Sequence, residues 1–521
     1  MSTLSIEVQR PEYETPPAHH DVAAEPGQGW APYLPSWGST SSDAQARDGA
    51  NRPASRSSSS LSRRSSRKRT NDHKTITGFR NPWPSWHKPT RTELWRALEW
   101  GEDTDPCIKL AAAHIKESPT SGKSSSAGTS NVPDRTKSAK KQAARLLRII
   151  PPDFAFDPQQ ARAKTTWLGH AGVLLQLPPL TQGGRPVRCL FDPIFSMRCS
   201  PTQAVGPIRS YAPPCRVEDL PLVDIVMISH NHYDHLDYDT IMTLWKVNRQ
   251  CIRFLVPLGN RQWFIDCGIE QDRVTELDWW EVACIAPLAV ETGPQILKIT
   301  CTPSQHNSGR SGADADVTLW SSWYLEHSQA SGKPYRIYFA GDSGYQFHES
   351  PGWPPPPSTG AQRDRIASQV DDDSPKAKNP VCPAFKQIAT RLGSPHLLLL
   401  PVAVGATYDY FRSFVPVPDS ISPIPRHSAG VTAHNHMPPW DAVRILRVMT
   451  ENAAPDETPA VAIAIHWGTF VIESVEVLKT LGQLEWACDA HGVRFARSLE
   501  GNDRETTPRF LALDHGQSVT T

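Results

Sequence analysis

His230, His232, Asp234 and His235 fall within six residues, in the run SHNHYDHLD at Ser229–Asp237. Neutral imidazoles with a carboxylate suit zinc or a similar borderline divalent ion. The i, i+2 spacing puts His230 and His232 on one side of an extended backbone. A helix would part them by about 200°. The cluster therefore belongs on a loop after a strand. Four ligands on so short a loop cannot easily converge on one ion, so two neighbouring ions are the natural reading. Three more residues stand at or just after apolar strands: His306 in SQHNSG, Asp342 in FAGDSG and His466 in AIHWGTF. They complete a seven-residue set. Two ions held close together lower the pKa of a shared water and neutralise an anionic substrate as charge develops on it.

The elements that must position these residues read as α/β. Thr165–Leu177 is strand, turn, strand. Cys189–Phe191 runs into Asp192-Pro193, and Asp224–Ser229 stops at the histidine cluster. Ile252–Pro257, Ile296–Cys301, Tyr335–Ala340, Leu397–Val402 and Ala460–Ile465 are further strands. Thr92–Glu99 reads as a short helix opened by a capping Thr. Helical periodicity runs through Pro439–Thr450 and Ser474–His491. Phe79–Trp86, with aromatics among prolines, reads as an extended segment pinned on a surface.

Composition sets the boundaries. Pro is 49 of 521 residues and only 38% are apolar, so much of the chain lies outside a packed core. Residues 1–77 read as a disordered Ser/Arg-rich N-terminal arm. A catalytic domain follows at 78–500, with low-complexity insertions at about 117–142, 350–380 and 413–432, and 501–521 reads as a C-terminal tail. Net charge is zero, but Arg47–Lys74 holds nine Lys or Arg against two Asp, a +7 arm on a −7 remainder.

The order H-x-H-x-D-H, His, Asp, His resembles the metallo-β-lactamase superfamily. FDPIFSMRCSPTQAVGP (191–207), ISHNHYDHLD (228–237), QHNSGR (305–310), FAGDSGY (339–345) and AIHWGTF (464–470) resemble, more closely, the N-acyl-phosphatidylethanolamine-hydrolysing phospholipase D family. NPWPSW (81–86) is similar to that family's segment ahead of the catalytic domain. The resemblance implies an αββα sandwich with two zinc ions at one edge. It assigns one ion to His230, His232 and His306, and the other to Asp234, His235 and His466, with Asp342 bridging. The implied reaction is water attack on phosphorus, releasing N-acylethanolamine and leaving phosphatidic acid. The resemblance gives catalytic roles to Asp234, Asp342 and His436, the last as phosphate stabiliser or proton donor to the leaving oxygen. His434 is the nearby alternative. It also gives substrate contacts to Tyr233, His436 and Gln203. Pro438 and Ala204 depart from the family's residues there.

The charge balance excludes a uniformly basic nucleic-acid binder. No apolar run reaches the ~18–20 residues that span a bilayer. The expected partner is a phospholipid on a membrane surface, reached peripherally. The basic arm and interfacial Trp such as Trp279-Trp280 are the contacts considered, and a homodimer is kept open. MSTLSIEVQRPEYETPP has neither a secretory h-region nor the acid-poor character of a mitochondrial presequence. Ten cysteines without a C-x-x-C pair predict reduced thiols in an intracellular protein, its organelle (mitochondrial or endomembrane) open. Rival readings keep the site with another substrate, as in an RNase Z-type phosphodiesterase or a lactonase, or make the chain a non-catalytic lipid-binding protein.

Overall fold

The computed structural model describes residues 4–12, 17–22, 76–111, 135–158, 162–287, 296–329, 332–349, 377–402, 412, 417, 421–454, 457–499 and 507–521. Strands β1 (Leu4–Gln9), β2 (His20–Val22) and β3 (Ile76–Phe79) precede helix α1 (Arg91–Arg96) and β4 (Leu98–Glu99). Helix α2 (Arg135–Leu146) leads into β5 (Lys164–Gly169), β6 (Gly172–Leu177), β7 (Val187–Phe191) and β8 (Ile225–Met227). Then come α3 (Tyr238–Asn248), β9 (Arg253–Pro257), α4 (Arg261–Asp266) and β10 (Val274–Leu277). The chain continues through β11 (Val282–Pro287), β12 (Leu297–Thr302), β13 (Ser322–His327) and β14 (Tyr335–Phe339) to α5 (Ala384–Leu392) and β15 (Leu397–Pro401). After β16 (Arg426–His427) and α6 (Ala429–Thr432) come α7 (Pro439–Thr450), β17 (Val461–Ile465) and α8 (Val475–Ala490). The last strands are β18 (Arg494–Ala496), β19 (Arg509–Leu511) and β20 (Ser518–Thr520).

Two mixed sheets carry the fold. One runs β1-β11-β12-β13-β14-β15-β17-β19-β18, the other β10-β9-β8-β7-β6-β5-β20. They face each other: Phe191 of β7 stacks on Phe339 of β14 at 4.6 Å, and the Trp323 indole N–H of β13 donates to the Ile228 carbonyl just past β8. Strands β15 (LLLLP) and β17 (VAIAI) are buried on both faces, which explains their unbroken apolar runs. Helices α5, α7 and α8 contribute to the same apolar core as the first sheet. Helices α3 and α4 pack in a second apolar layer against the other sheet. This is an αββα sandwich, as the resemblance implied.

Several boundaries differ from the sequence reading. Residues 4–9, expected in the disordered arm, form an edge strand paired antiparallel with β11. Their alternation explains it: Leu4, Ile6 and Val8 pack on the core, while Glu7 and Gln9 are exposed. His20–Val22 likewise pairs with Ile76–Phe79. The basic stretch Arg47–Lys74 lies outside the described residues. Much of the tail expected at 501–521 is sheet: β19 lies parallel to β17 and β20 antiparallel to β5, with Phe510, Leu511 and Val519 buried. In the insertion expected at 117–142, α2 starts at Arg135, because Ala143 and then Leu147 bury one face of it. Residues 350–376 of the second insertion lie outside the described residues. The third, 413–432, contains β16 and α6, whose residues from Ala429 to Thr432 are buried. Helix α1 is capped by Thr90 rather than Thr92, in a capping box with Glu93, and ends before β4. All ten cysteines are free, as expected.

Candidate metal centre

The apolar strand β8 delivers the chain to the site. Just past it, the Ser229 amide donates to Asp192 Oδ1 at 2.7 Å and its hydroxyl donates to Oδ2 at 2.5 Å. The backbone then turns, with the amides of His235 and Leu236 both donating to the His232 carbonyl. Arg310 clasps this loop from outside, donating Nη1 to the carbonyls of Asn231 and Leu236, each at 2.8 Å. Two glycines let the Asp342 segment approach. A Cβ on Gly341, at φ +58°, would lie 2.6 Å from the Ser229 Cβ, and one on Gly344 would lie 1.9 Å from the His434 carbonyl.

His230, His232 and His306 converge with one nitrogen each. His230 Nε2 lies 2.8 Å from His232 Nδ1, and His306 Nε2 lies 3.2 and 3.3 Å from those two atoms. A second group gathers Asp234, His235 and His466, and adds His170. Asp234 Oδ2 is 3.0 Å from His170 Nε2, 3.4 Å from His466 Nε2 and 3.5 Å from His235 Nε2. Asp342 touches both groups. Its Oδ2 lies 3.1 Å from His235 Nε2, 3.7 Å from His306 Nε2 and 3.9 Å from His230 Nε2, and its Oδ1 lies 3.1 Å from His466 Nε2. The seven residues expected from sequence are thus brought together in two adjoining groups, with Asp342 between them.

The far nitrogens of His306 and His235 are tied down, which fixes tautomer and orientation. His306 Nδ1 donates to the Asn435 carbonyl at 3.1 Å, and His235 Nδ1 donates to Asp192 Oδ2 at 2.7 Å. In sequence Asp192 reads only as the residue after a strand, and His170 gives no signal, because one histidine in GHAG has no local companion. Both carry a backbone signal invisible in sequence. His170, Asp192 and His466 sit at φ 50°, 35° and 60°, in the left-handed region that side chains other than Gly and Asn rarely enter.

Electrostatics agree with a cation-binding role. Burial pushes His230 and His306 well below the ordinary imidazole value, and pushes His232 to about 4, so these rings offer neutral nitrogens. Burial also opposes charge on His235 and His466. There the adjacent carboxylates of Asp342 and Asp234 outweigh it, lifting His235 well above its ordinary value and His466 to about 9. Burial would raise Asp234 and Asp342, yet the surrounding imidazoles hold both well below the usual carboxylate range. The field that keeps protons on these rings is the field a divalent cation would satisfy. His466 Nε2 and Asp342 Oδ1 face each other at 3.1 Å without a hydrogen bond, as two ligands of one ion do. The donor set and these paired atoms fit bound metal.

His436 stands over the bridging carboxylate, Nε2 3.2 Å from Asp342 Oδ2 and its ring edge-on to His306. Asn435 Nδ2 lies 3.3 Å from its Nδ1, which fits the tautomer with the hydrogen on Nε2. The alternative, His434, is buried instead beside Trp86 and Phe347. Tyr233 lies half-buried with the Arg310 guanidinium 4.0 Å from its ring centre. Gln203 is exposed, and its amide is engaged by the backbone of Arg198.

The profile of the β-lactamase superfamily domain matches residues 187–352, which carry His230, His232, Asp234, His235, His306 and Asp342. An uncharacterized protein of Mycobacterium tuberculosis (strain ATCC 25618 / H37Rv) is 39% identical over 208 residues, 40% of this chain and 49% of that protein. The N-acyl-phosphatidylethanolamine-hydrolyzing phospholipase D 1 of Caenorhabditis elegans is 39% identical over 183 residues, 34% of this chain and 46% of the worm protein. The mitochondrial N-acyl-phosphatidylethanolamine-hydrolyzing phospholipase D of Saccharomyces cerevisiae is 36% identical over 159 residues, 30% of this chain and 31% of the yeast protein. The chain spans about half, or less, of the length of these relatives. No helix among the described residues is long and apolar enough to cross a membrane. Profile and layered sheets agree that residues 187–352 carry a β-lactamase superfamily domain within an αββα sandwich, and the ligand-type side chains converge in it.

Proposed function

We propose that this chain is a zinc-dependent phospholipase D that converts N-acyl-phosphatidylethanolamine into N-acylethanolamine and phosphatidic acid. The observation that carries the reading is Asp342, shared between two histidine-rich groups with His436 above it. A phosphodiester needs positive charge on its oxygens, a nucleophile and a proton for the leaving alkoxide. His230, His232 and His306 would hold one zinc. Asp234, His235 and His466 would hold another, with Asp342 between. When bound, the ions lower the pKa of water and offset the phosphate charge. His436 Nε2–H is the donor placed to orient the phosphate or protonate the departing ethanolamine oxygen. Partial similarity to two proteins named for this reaction supports the choice of substrate. The substrate lies in a membrane, so the chain would work peripherally at a lipid surface.

The test is elemental analysis alongside turnover. The zinc-loaded chain is offered N-acyl-phosphatidylethanolamine vesicles, a small RNA and a lactone in parallel. Release of N-acylethanolamine, with about two ions per chain, is the expected result. Hydrolysis of RNA or lactone without lipid turnover, or none of the three with metal bound, overturns the proposal.

A further inference from the structure

Outside the metal centre, a second set of ligand-type side chains is buried between the N-terminal segment and the catalytic domain. His20 opens β2, His19 directly precedes it, and Asp278 directly follows β10. His19 Nε2 is 2.8 Å from Asp278 Oδ1, and His20 Nε2 is 2.9 Å from Oδ2. All three residues are buried. Aromatic rings wall them off. Trp279 stacks on His19 at 4.1 Å, Trp83 stacks on Trp279 at 5.4 Å, and Phe79 stands edge-on to His20 at 5.5 Å. The three share no residue with the two ligand groups around Asp342.

The geometry at His20 is that of converging ligands. Its Nε2 is within contact distance of a carboxylate oxygen, yet it makes no hydrogen bond. The same signature marks His466 Nε2 and Asp342 Oδ1 in the metal centre. In each case a buried imidazole nitrogen lies against a carboxylate oxygen without meeting hydrogen-bond geometry. The carboxylate is itself held in place. Oδ1 accepts the Trp279 N–H at 2.9 Å, and the Asp278 N–H donates to Glu281 Oε2 at 3.0 Å. Such outer contacts orient metal ligands.

We propose that His19, His20 and Asp278 form a further divalent-cation site that fastens the N-terminal segment to the catalytic domain. Two imidazole nitrogens and two carboxylate oxygens supply four donor atoms, a set that suits zinc in a closed structural site. The ligands come from segments far apart in sequence, so only the docked chain presents them together. Binding there stabilises the docked state by mass action.

The experiment counts ions in the full chain after zinc loading and desalting, for wild type, His20→Gln and Asp278→Asn. One ion fewer per chain is expected in each variant, whatever number the wild type holds, so the result does not depend on lipid turnover. Circular dichroism confirms that the variants fold. Limited digestion with a glutamate-specific protease gives a second readout. Cleavage after the exposed Glu12 in wild type is expected to accelerate about ten-fold when zinc is withdrawn. In His20→Gln it is expected not to respond to zinc. Equal ion counts in all three proteins, with digestion indifferent to zinc in wild type, overturn the proposal and leave His19–Asp278–His20 as a metal-free polar contact.

Discussion

His466 donates its backbone N–H to the carbonyl of His170 at 2.8 Å, and the two rings lie 4.0 Å apart with both residues in the left-handed region. That bond joins the β5–β6 turn to the end of β17, so the two sheets meet at the second ligand group. His170 also reaches Asp234 at 3.0 Å. It therefore orients a ligand on one side and packs on a ligand on the other. Replacing it with Asn is expected to weaken binding of the ion next to Asp234 by about 10- to 100-fold. The ion held by His230, His232 and His306 is expected to stay. Chelator competition on the two proteins, followed by residual metal content, checks this. Equal affinities would remove His170 from the site.

His436 makes a contrasting case. It contacts Asp342 and forms a ligand-type trio with Asp342 and His306, but stands outside the two groups built on His230–His232–His306 and on Asp234–His235–His466. His436→Gln is expected to leave metal content unchanged and to lower kcat by about 10²- to 10⁴-fold, the usual range for a lost general acid. A fall in metal content of the same size would instead make it a ligand.

The cluster at Ser229–Asp237 was legible because its chemistry is local: four ligands after one apolar strand announce themselves in nine residues. His170 and Asp192 were not, because each stands alone in sequence and gains its meaning from a positive φ and a partner more than 30 residues away. The same holds for the fold. Strands β15 and β17 are unbroken apolar runs, and α7 has its predicted limits. Strand β1 alternates apolar and polar residues, but Pro and charged residues follow it, and the polar neighbourhood masked a six-residue signal. Strands β19 and β20 are three residues each, too short for any periodicity, and are set by burial between sheets that other segments build.

Gly344 tests how tightly three loops meet. Its amide donates to the Gln305 carbonyl at 2.8 Å, while Gln305 Nε2 donates to the His434 carbonyl at 2.8 Å. A methyl group at 344 would overlap the His434 backbone, which has no flexible side-chain end to yield. Gly344→Ala is expected to cost about 3 kcal/mol of stability, at the upper end of overpacking effects. It is also expected to lower metal affinity, because His306 and Asp342 flank the loops that would shift. Urea denaturation with and without zinc measures both. A midpoint within error of wild type would show that the backbone gives way freely.

Acid stability follows from buried imidazoles away from the proposed ligands. Burial, aided by nearby cationic groups, pushes His434 and His515 to about 3 and His491 to about 4. In the unfolded chain each titrates near 6.5. Between those values the unfolded state binds more protons than the folded one, so stability falls as pH drops from about 6.5 toward 4. It is fully present above that range, and the slope flattens once the folded-state groups also protonate. Each group contributes up to about 1.4 kcal/mol per pH unit within the window. Urea midpoints of the chelator-treated chain at pH 7, 6 and 5 should therefore decline steadily. His515 is the best single probe, being buried against Trp167 with Nε2 3.4 Å from Thr469 Oγ1. His515→Gln is expected to be less stable at pH 7 but to show a shallower decline by about one proton's worth of slope. An unchanged slope would mean that His515 takes up its proton without unfolding.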